Sequence, residues 1–535
     1  MSGQRIDPVT LQVLAGALHA ACEEMGAVLI RSAHSSNIKE RRDCSTALFD
    51  ASGELVMQAE HIPVHLGSMP DAVAAVATEP QADGEHWILN DPYRGGTHLP
   101  DITLISPVIL PAGSSSLPSA SPHSGRLARP GPAGARSESG TLIGFAASRA
   151  HHADVGGATP GGMPARSTRL EQEGVVIPPT RADDATLAAL AEQMRSPRQR
   201  LADLRAQRAA NLAGIARMRE LARRHGSEGL RAGLAEILDY AERRTRAALA
   251  GLPDGDGEAE DALEAADGSL VGLRLRATVR GDSLRLDFEG SSPQVEGNLN
   301  CPLSVTRAAC FYAVRVVCDP DAPPSAGAWR PVEVSAPRGS LLNAEPPAAV
   351  AAGNVETSSR VADLAIEALG AFSAVPAQGQ GTMNNLTLSS DRFTYYETIG
   401  GGQGACADAD GPDAVHVAMS NTLNTPVEAL EGEFPLRVRE LSLRRGSGGA
   451  GRHRGGDGIV REIEALEPMG YTLVAERRRL APRGREGGSE GEPGRDSVNG
   501  EAIPGKTEGR LEAGDRLRIE TPGGGGHGRP EPATG

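Results

Sequence analysis

The chain has few aromatic residues and few cysteines. Phe, Trp and Tyr make up only 3% of its 535 residues, so aliphatic side chains and alanine must supply most of the core. None of the six cysteines stands in a Cys-x-x-Cys pair, which excludes zinc-finger and thioredoxin-type sites. We therefore expect a reduced protein whose chemistry does not depend on thiols.

Long apolar runs and an excess of positive charge are also missing. No apolar run approaches the roughly 18 residues of a membrane span, and the N-terminus lacks the charged and apolar regions of a signal peptide. The formal net charge of −15 argues against nucleic acid or an anionic membrane as the main partner. A cytoplasmic enzyme or enzyme subunit, with no nucleic-acid or membrane partner, is the expected class.

Glycine and proline, in contrast, are abundant, with 66 and 38 residues, and indicate many turns and loops. The glycine runs at 400–404 and 523–526 lack the Lys-Ser/Thr pair of a Walker A loop. We therefore expect tight backbone crossings there and no ATP site or other cofactor-binding loop in this chain.

Apolar spacing predicts an α+β, multi-layer fold with a long N-terminal helix, a β-rich body and Gly-rich C-terminal loops. Asp7 and Pro8 form a helix start, and apolar spacing continues the helix to about residue 33. Further helices are predicted over 69–78, over 185–250 with a break at Pro197, over 303–318 and over 355–371. Strands are predicted at 46–49, 54–57, 86–89, 102–108 and 142–147, with a hairpin of period two over 273–288.

These changes in pattern divide the chain into four segments. Residues 1–180 form an N-terminal α/β portion, in which 111–140 is rich in Pro, Ser and Gly and is expected to be a flexible insertion. Residues 181–255 are helical, 256–440 are a mixed β/α body and 441–535 are a Gly-rich C-terminal portion. The arginines of the helical segment are mixed with acidic residues, which favours a solvated helix face over a DNA-binding one.

Two separated clusters carry the residue types of a metal site. His98 and Asp101 stand in a Gly-Gly-Thr-His-Leu-Pro-Asp loop, and His151, His152 and Asp154 follow about fifty residues later, after an apolar strand. Imidazole and carboxylate are the ligands that borderline and hard divalent ions prefer. Neighbouring residues of a strand point to opposite faces, so only one of the two later histidines is expected to ligate. Asp154 can ligate or can orient a ligand histidine.

Two further polar segments precede these clusters. Glu40, Arg41 and Asp43 form either a buried ion network or a site for a phosphorylated compound, in which Arg41 or Arg94 is the phosphate partner. His61 and His65 flank Pro63 and either line the same cavity or make structural hydrogen bonds.

Several ordered motifs resemble one family over nearly the whole chain. They are Asn37-Ile38-Lys39-Glu40-Arg41 with Asp43, residues 61–69, 90–101 and 149–157, Gly381-Thr382-Met383-Asn384-Asn385, residues 396–402, Asn421-Thr422 with Pro426-Val427-Glu428, and residues 521–526. The chain is similar to the hydantoinase B family, which includes N-methylhydantoinase B subunits and the C-terminal half of 5-oxoprolinase. It is also similar to the alpha subunits of acetone and acetophenone carboxylases.

The resemblance implies the B subunit of an ATP-dependent cyclic amidase, a hydrolase. A hydantoinase A-like partner is then expected to bind ATP and activate the substrate by phosphorylation, in a hetero-oligomer such as A2B2. Carried over to this chain, the family's metal ligands are His98, Asp101 and either His151 or His152, with family spacing favouring His151. The residue types suit zinc, manganese or iron alike. The alternatives are a carboxylase alpha subunit and a non-catalytic scaffold for the ATP-binding subunit.

The chain departs from the family pattern in three places. The 111–140 insertion separates the two ligand clusters, and the segment 480–500 is shorter and more charged than expected. The Pro323–Gly327 turn lacks the asparagine that relatives tend to have. The insertion and the altered turn leave the local geometry open.

Overall fold

The fold is described here from a computed structural model that covers residues 6–60, 62–65, 67–111, 136–137 and 140–530. Helix α1 (Pro8–Ser32) begins at Asp7, whose carboxylate accepts hydrogen bonds from the backbone N–H groups of Val9 and Thr10. The stripe of α1 that includes Leu14, Leu18 and Met25 is buried, as the helical spacing predicted. This helix packs along α5 (Pro197–His225).

The first sheet carries the two sequence clusters. Its strands are β1 (Cys44–Asp50), β2 (Leu55–Glu60), β3 (Trp87–Leu89), β4 (Asp101–Pro111), β5 (Arg136–Ser137), β6 (Gly140–His151) and β7 (Thr180–Arg181). Their order is β2-β1-β6-β4-β3-β7, with β5 paired to β6. Short helix α2 (Ser36–Lys39) precedes β1, and α3 (Met69–Ala77) lies between β2 and β3. The predicted strands are all present, and β4 and β6 are longer than expected.

The helical segment is divided twice. Helix α4 (Asp184–Ala191) precedes the predicted break at Pro197, and α5 ends at Gly226, where α6 (Ser227–Ala250) begins. The second break was not predicted. Gly226 has φ +74°, a backbone conformation that glycine adopts far more readily than other residues, and it interrupts the helix there.

The second sheet has the order β11-β10-β9-β8, with the predicted hairpin at its centre. Its strands are β8 (Gly255–Glu264), β9 (Leu270–Arg280), β10 (Ser283–Asp287) and β11 (Val332–Ser335). The helices nearby in sequence are α7 (Leu303–Cys318), α8 (Ala326–Trp329) and α9 (Ser358–Leu369). The single helix predicted over 355–371 is instead a π-helical turn, Gly353–Thr357, that leads into α9. Such turns are frequent at functional sites.

Two more sheets are formed by strands in the last third of the chain. They have the orders β13-β12-β16-β19 and β14-β15-β20-β17-β18. The strands are β12 (Asn385–Ser389), β13 (Thr394–Glu397), β14 (Leu436–Arg444), β15 (Gly458–Ala465), β16 (Met469–Val474), β17 (Arg495–Val498), β18 (Glu501–Ile503), β19 (Lys506–Leu511) and β20 (Arg516–Glu520), with helix α10 (Val427–Glu433) before β14.

Most of these strands were missed when the tail was predicted as glycine-rich loops. Several of them are only three to six residues long, and in β16 and β19 a glycine interrupts the alternation of apolar residues that reveals a strand. The glycine runs themselves do lie where backbones cross. A Cβ at Gly402 would lie 2.0 Å from the carbonyl oxygen of Gly456 and 2.3 Å from the backbone nitrogen of Gly524. The mixed α+β architecture is nevertheless as predicted.

Some of the sequence predictions concern residues outside the part of the chain that the structure describes. Most of the 111–140 insertion and His61 belong to this part of the chain. The division into four segments stays a prediction.

One described helix, α1, is long and apolar enough by length and composition to cross a membrane, with a mean hydropathy of 1.5. A core helix passes the same test, and the buried stripe of α1 belongs to an apolar cluster that also includes residues of α5 and α6. The pattern is therefore weak evidence for a membrane span.

Candidate metal centre

The pairing of β4 with β6 brings the two sequence clusters together. In this antiparallel pair Asp101, the first residue of β4, lies directly opposite His151, the last residue of β6. A backbone hydrogen bond from Asp101 to the carbonyl oxygen of His98 forms a tight turn before β4. Residues opposite one another in such a pair are separated by only about 5 Å, so the three side chains converge.

Asp101 lies at the centre of the cluster. Its Oδ1 is 3.1 Å from His98 Nε2 and 3.2 Å from His151 Nδ1, and its Oδ2 is 3.4 Å from His65 Nε2. The Thr97 hydroxyl also donates a hydrogen bond of 2.8 Å to Oδ2. One potential ligand atom from each of His98, Asp101 and His151 lies within 4.8 Å of the others, and all three residues are buried.

Several ring nitrogens of this cluster have no hydrogen-bond partner. Both nitrogens of His98 and Nε2 of His151 are buried without one, although the contact of His98 with Asp101 is close. A buried polar atom without a partner costs about 1–3 kcal/mol. Two imidazoles and a carboxylate with free lone pairs fit a divalent cation, which would satisfy these atoms. Among the described residues, this is the one group of three with such spacing.

Burial and neighbouring charges shift the acid–base properties of the cluster. Burial alone would raise the pKa of Asp101, but His98 and His65, together with the hydrogen bond to His151, hold that pKa well below its usual value. Burial lowers the pKa of His151 to about 4 and also lowers the pKa of His65. The carboxylate is therefore ionised and these two imidazoles are neutral near pH 7, which is the state that metal ligation requires.

Asp43 lies beside the same cluster. It lines a cavity of about 20 Å³ together with His65, Asp101 and His151, and its backbone carbonyl accepts a hydrogen bond from the backbone of His151. Burial and then the charge of Asp101 raise the pKa of the Asp43 carboxyl to about 7. The cavity has room for about one water molecule or ion. Asp43 and His65, both predicted as binding residues, are therefore within the site.

His152 and Asp154 face away from this cluster. His152 Nε2 hydrogen-bonds to Gln207 Oε1 at 2.9 Å, on the opposite side of the strand from His151. Asp154 accepts hydrogen bonds from the backbone N–H groups of Gly156 and Gly161 and lies 3.1 Å from Arg195 Nη1. The structure therefore separates these two candidates from Asp101 and gives them other partners.

The remaining residues that were predicted to bind a phosphorylated compound lie at different distances from the cavity. Arg41 is buried behind the cavity, where its Nη2 donates to the hydroxyls of Thr398 and Thr422. Glu40 is half-buried and Arg94 is exposed, and neither lines the cavity. The predicted phosphate-binding set is thus not assembled in one place.

Other residues of the site were not predicted. Tyr396 stacks on His151, with ring centroids 4.6 Å apart, and Asn354 Nδ2 lies 3.5 Å from Asp101 Oδ2. Thr398, Ser420 and Thr422 also line the cavity. Tyr396, Thr398 and Thr422 belong to motifs that carried the family resemblance, so a signal for them was present. Asn354 belongs to no such motif.

Comparison with known proteins identifies related chains. A family model described as Hydantoinase B/oxoprolinase matches residues 7–530. The chain is 36% identical to an uncharacterised protein of Methanocaldococcus jannaschii, over 98% of this chain and 91% of that one. It is 36% identical to 5-oxoprolinase of Dictyostelium discoideum over 98% of this chain, but it spans only 40% of that relative's length. It is 29% identical to a putative B-type subunit of a D-/L-hydantoinase from a Pseudomonas species, over 98% and 91% of the two chains.

Two solved structures have a similar fold. The ATP-dependent caprolactamase from Pseudomonas jessenii superposes with a TM-score of 0.87 at 26% identity, over 99% of this chain and 93% of that one. A nucleotide-free acetone carboxylase structure superposes with a TM-score of 0.83, over 98% and 76% of the two chains. Its identity of 18% shows a shared fold alone.

Proposed function

The chain belongs to the Hydantoinase B/oxoprolinase family, and from that premise we propose that it is the B-type component of an ATP-dependent cyclic amidase. The observation that carries the proposal is the buried His98–Asp101–His151 group, with its unpartnered ring nitrogens beside a small cavity. The names of the relatives support the substrate class, since they include 5-oxoprolinase, a hydantoinase component and a caprolactamase. All three names refer to a ring closed by an amide bond.

We assign His98, Asp101 and His151 as the metal ligands. Asp43 is a candidate for the fourth ligand, through a carboxyl oxygen. A divalent ion bound there would lower the pKa of a bound water towards about 7 and so supply a nucleophile at neutral pH. The ionised Asp101 and the neutral His151 suit this role, and Asn354 and Thr97 hold the Asp101 carboxylate in place. The residue types do not choose between zinc, manganese and iron.

The rest of the activity is assigned to a partner. The glycine-rich segments of this chain are filled by other backbone, as at Gly402, which leaves no phosphate-binding loop there. We therefore propose that a hydantoinase A-like partner binds ATP and phosphorylates the amide oxygen, which turns that oxygen into a leaving group. The Pseudomonas relative is named as one component of a hydantoinase, which supports an assembly of two kinds of chain such as A2B2.

Purified protein mixed with an A-type partner tests the proposal. Incubation with ATP and 5-oxoproline, hydantoin or caprolactam should form ADP and the ring-opened product in equal amounts, without added bicarbonate. Asp101→Ala should abolish ring opening. ATP-dependent ring opening at the wild-type rate in the Asp101→Ala variant would overturn the catalytic assignment and would identify the chain as a scaffold.

The fold shared with acetone carboxylase makes a ketone carboxylase the second candidate. The same assay separates the two activities. ADP formation that requires both bicarbonate and a ketone, with no turnover of any cyclic amide, would replace the amidase assignment with the carboxylase one.

A further inference from the structure

Part of the cavity wall is made of hydroxyl groups and not of metal-ligand types. Thr398, Ser420 and Thr422 all line the cavity that also contains Asp101 and His151. Thr398 immediately follows strand β13, whereas Ser420 and Thr422 belong to the segment before α10. Three hydroxyl-bearing residues from two separate segments thus line the cavity beside the proposed metal site.

A half-buried histidine connects these hydroxyls. His416 Nδ1 lies 2.9 Å from Ser420 Oγ, and His416 Nε2 lies 3.2 Å from Thr422 Oγ1. Thr422 Oγ1 lies in turn 2.7 Å from Thr398 Oγ1. The four side chains therefore form one continuous chain of hydrogen bonds, and both of its ends, Ser420 and Thr398, reach the cavity.

Arg41 restricts how this chain can be arranged. Its Nη2 donates to Thr398 Oγ1 and to Thr422 Oγ1, each at 2.8 Å, so each threonine hydroxyl hydrogen must find a different acceptor. Burial and then the positive charge of Arg41 lower the pKa of His416 to about 3, which keeps the imidazole neutral at pH 7. A neutral imidazole has one donor nitrogen and one acceptor nitrogen.

Only two arrangements then bond every member of the chain. With the proton on His416 Nδ1, the ring donates to Ser420, Thr422 donates to Nε2 and Thr398 donates to Thr422, so the Ser420 hydrogen points to the cavity. With the proton on Nε2, all of these bonds reverse and the Thr398 hydrogen points to the cavity. The tautomer of His416 therefore decides which end of the chain is the donor.

We propose that Thr398, Thr422, His416 and Ser420 form a proton relay that connects two points of the cavity. Arg41 and His416 are positioning residues, while Ser420 and Thr398 face the reacting groups. The relay rests on the proposed function, because it supplies the proton transfer that addition of water to an activated amide requires.

The step balances without any further reactant. A water that adds to the activated carbon gives one proton to Thr398 Oγ1, whose own hydroxyl proton passes to Thr422. The Thr422 proton passes to His416 Nε2, and the Nδ1 proton passes to Ser420. Ser420 gives its proton to the leaving oxygen or nitrogen. One O–H bond of water breaks as the water oxygen bonds to the activated carbon, and the bond from that carbon to the leaving atom breaks as the leaving atom gains the proton. The relay stays neutral and changes tautomer. Rotation of the hydroxyls and exchange with water restore the first arrangement.

Kinetics of hydroxyl variants in the complete complex with the A-type partner test the relay. Thr422→Val should lower kcat about 100-fold, the lower end of general acid–base catalysis, with KM changed less than about threefold. Thr422→Ser, which keeps the hydroxyl, should restore kcat to within about threefold of wild type, and Ser420→Ala should resemble Thr422→Val. A Thr422→Val variant with wild-type kcat would overturn the relay. A wild-type complex that opens no cyclic amide would instead overturn the proposed function.

Nitrogen NMR of the ¹⁵N-histidine-labelled chain provides a readout that needs no turnover. The His416 signal, identified by its loss in His416→Gln, should be that of a neutral imidazole at pH 7. Ser420→Ala should shift the tautomer towards Nε2–H, because Thr422 remains as the acceptor, and Thr422→Val should shift it towards Nδ1–H. An imidazolium signal at pH 7, or a tautomer ratio that neither variant moves, would overturn the assignment.

Discussion

Two buried clusters of charged and ionisable groups can be compared in this molecule. One is the candidate metal centre, where His98, His65 and His151 surround the single carboxylate of Asp101. The other lies where β8, α9 and the segment after β16 meet, and we call it the arginine–carboxylate network. That network consists of Asp261, Asp363, Glu476, Arg360, Arg477 and Lys506.

The arginine–carboxylate network pairs opposite charges. Asp261 lies 3.1 Å from Arg360 and 3.2 Å from Arg477, and Glu476 lies 3.4 Å from Arg360 and also contacts Lys506. Burial would raise the pKa of Asp261, but the charges of Arg360 and Arg477 instead hold that pKa below its usual value. The network thereby connects β8 of the second sheet to the segment that follows β16 and to Lys506, the first residue of β19.

In the candidate metal centre, the ionisable groups in contact with the Asp101 carboxylate are histidines. Three of the ring nitrogens there have no hydrogen-bond partner, and Asp43 brings a second carboxyl close to Asp101. Burial is nearly complete in both clusters, so burial does not distinguish structure from function here. The two clusters differ in their partners. The carboxylates of the arginine–carboxylate network are paired with arginine and lysine, which favours a structural role. The candidate metal centre has ring nitrogens without a hydrogen-bond partner, from which we infer a bound cation.

The largest effect is expected when the metal ligands are removed. Wild-type protein reconstituted with zinc, manganese or iron should hold about one divalent ion per chain. The His98→Ala and Asp101→Ala variants should lose this ion. Their affinity for it should fall by more than about 100-fold, which is the loss expected when a residue that only positions a ligand is replaced. Metal analysis after gel filtration measures this.

A matched control is the pair formed by the half-buried His453 and the exposed Asp410, which lie 3.5 Å apart. His453→Ala and Asp410→Ala should keep the metal content of wild type. Wild-type protein that binds no divalent ion after reconstitution would contradict the metal assignment.

The arginine–carboxylate network should respond in stability and not in metal content. Arg360→Met leaves Asp261 and Glu476 short of a buried partner, so the free energy of unfolding should fall by about 3–5 kcal/mol. Urea denaturation measures the loss, and the folded fraction should bind metal as wild type does. Arg276→Met, which removes the exposed partner of Glu258, should cost no more than about 1 kcal/mol. An Arg360→Met variant as stable as Arg276→Met would contradict the inference that the arginine–carboxylate network has a structural role.

A smaller effect is expected at His65. Its Nε2 lies 3.4 Å from Asp101 Oδ2, so His65→Gln should weaken metal binding about 10–100-fold by releasing the carboxylate. His86 is a matched control, because each of these two histidines uses Nδ1 to contact a serine hydroxyl, Ser106 for His86 and Ser45 for His65. Isothermal titration calorimetry with the divalent ion should show the same metal affinity in His86→Gln as in wild type. Equal losses in both variants would indicate a general packing defect.

The smallest effect concerns Glu356, in the π-helical turn between the two clusters. Burial, and then the charge of Glu476, raise the pKa of this carboxyl to about 7, and its Oε2 is buried without a hydrogen-bond partner. The folded state therefore holds the proton that the unfolded state releases above about pH 4.5. The stabilisation from this proton is complete below pH 4.5 and disappears as the pH rises through 7.

Replacement by glutamine tests this sign. The Tm of wild type minus that of Glu356→Gln should fall between pH 5 and pH 8, by an amount on the order of 1–3 °C. Thermal melts of the metal-free proteins measure it, with the exposed Glu289→Gln as control. A difference that rises with pH would show that Glu356 is ionised in the folded state.

Local pattern was sufficient for the elements whose apolar residues repeat regularly. The stripe on α1 and the alternation in β9 and β10 reflect a single buried face, which a short window of sequence displays. Several strands after residue 444 are only three to six residues long, and β16 and β19 contain a glycine, so a short window shows little alternation and these segments were not predicted as strands.

The sequence by itself determined that His98, Asp101 and a histidine at 151 or 152 are candidate ligands, because their residue types and motif spacing suffice for that. Only the tertiary structure showed which of the two histidines lies beside Asp101, since the register of β4 with β6 places His151 opposite Asp101 and turns His152 towards Gln207. It also brought Asn354, 253 residues away in sequence, to Asp101. Contacts of this kind depend on how sheets and helices pack together, and no local periodicity encodes that packing.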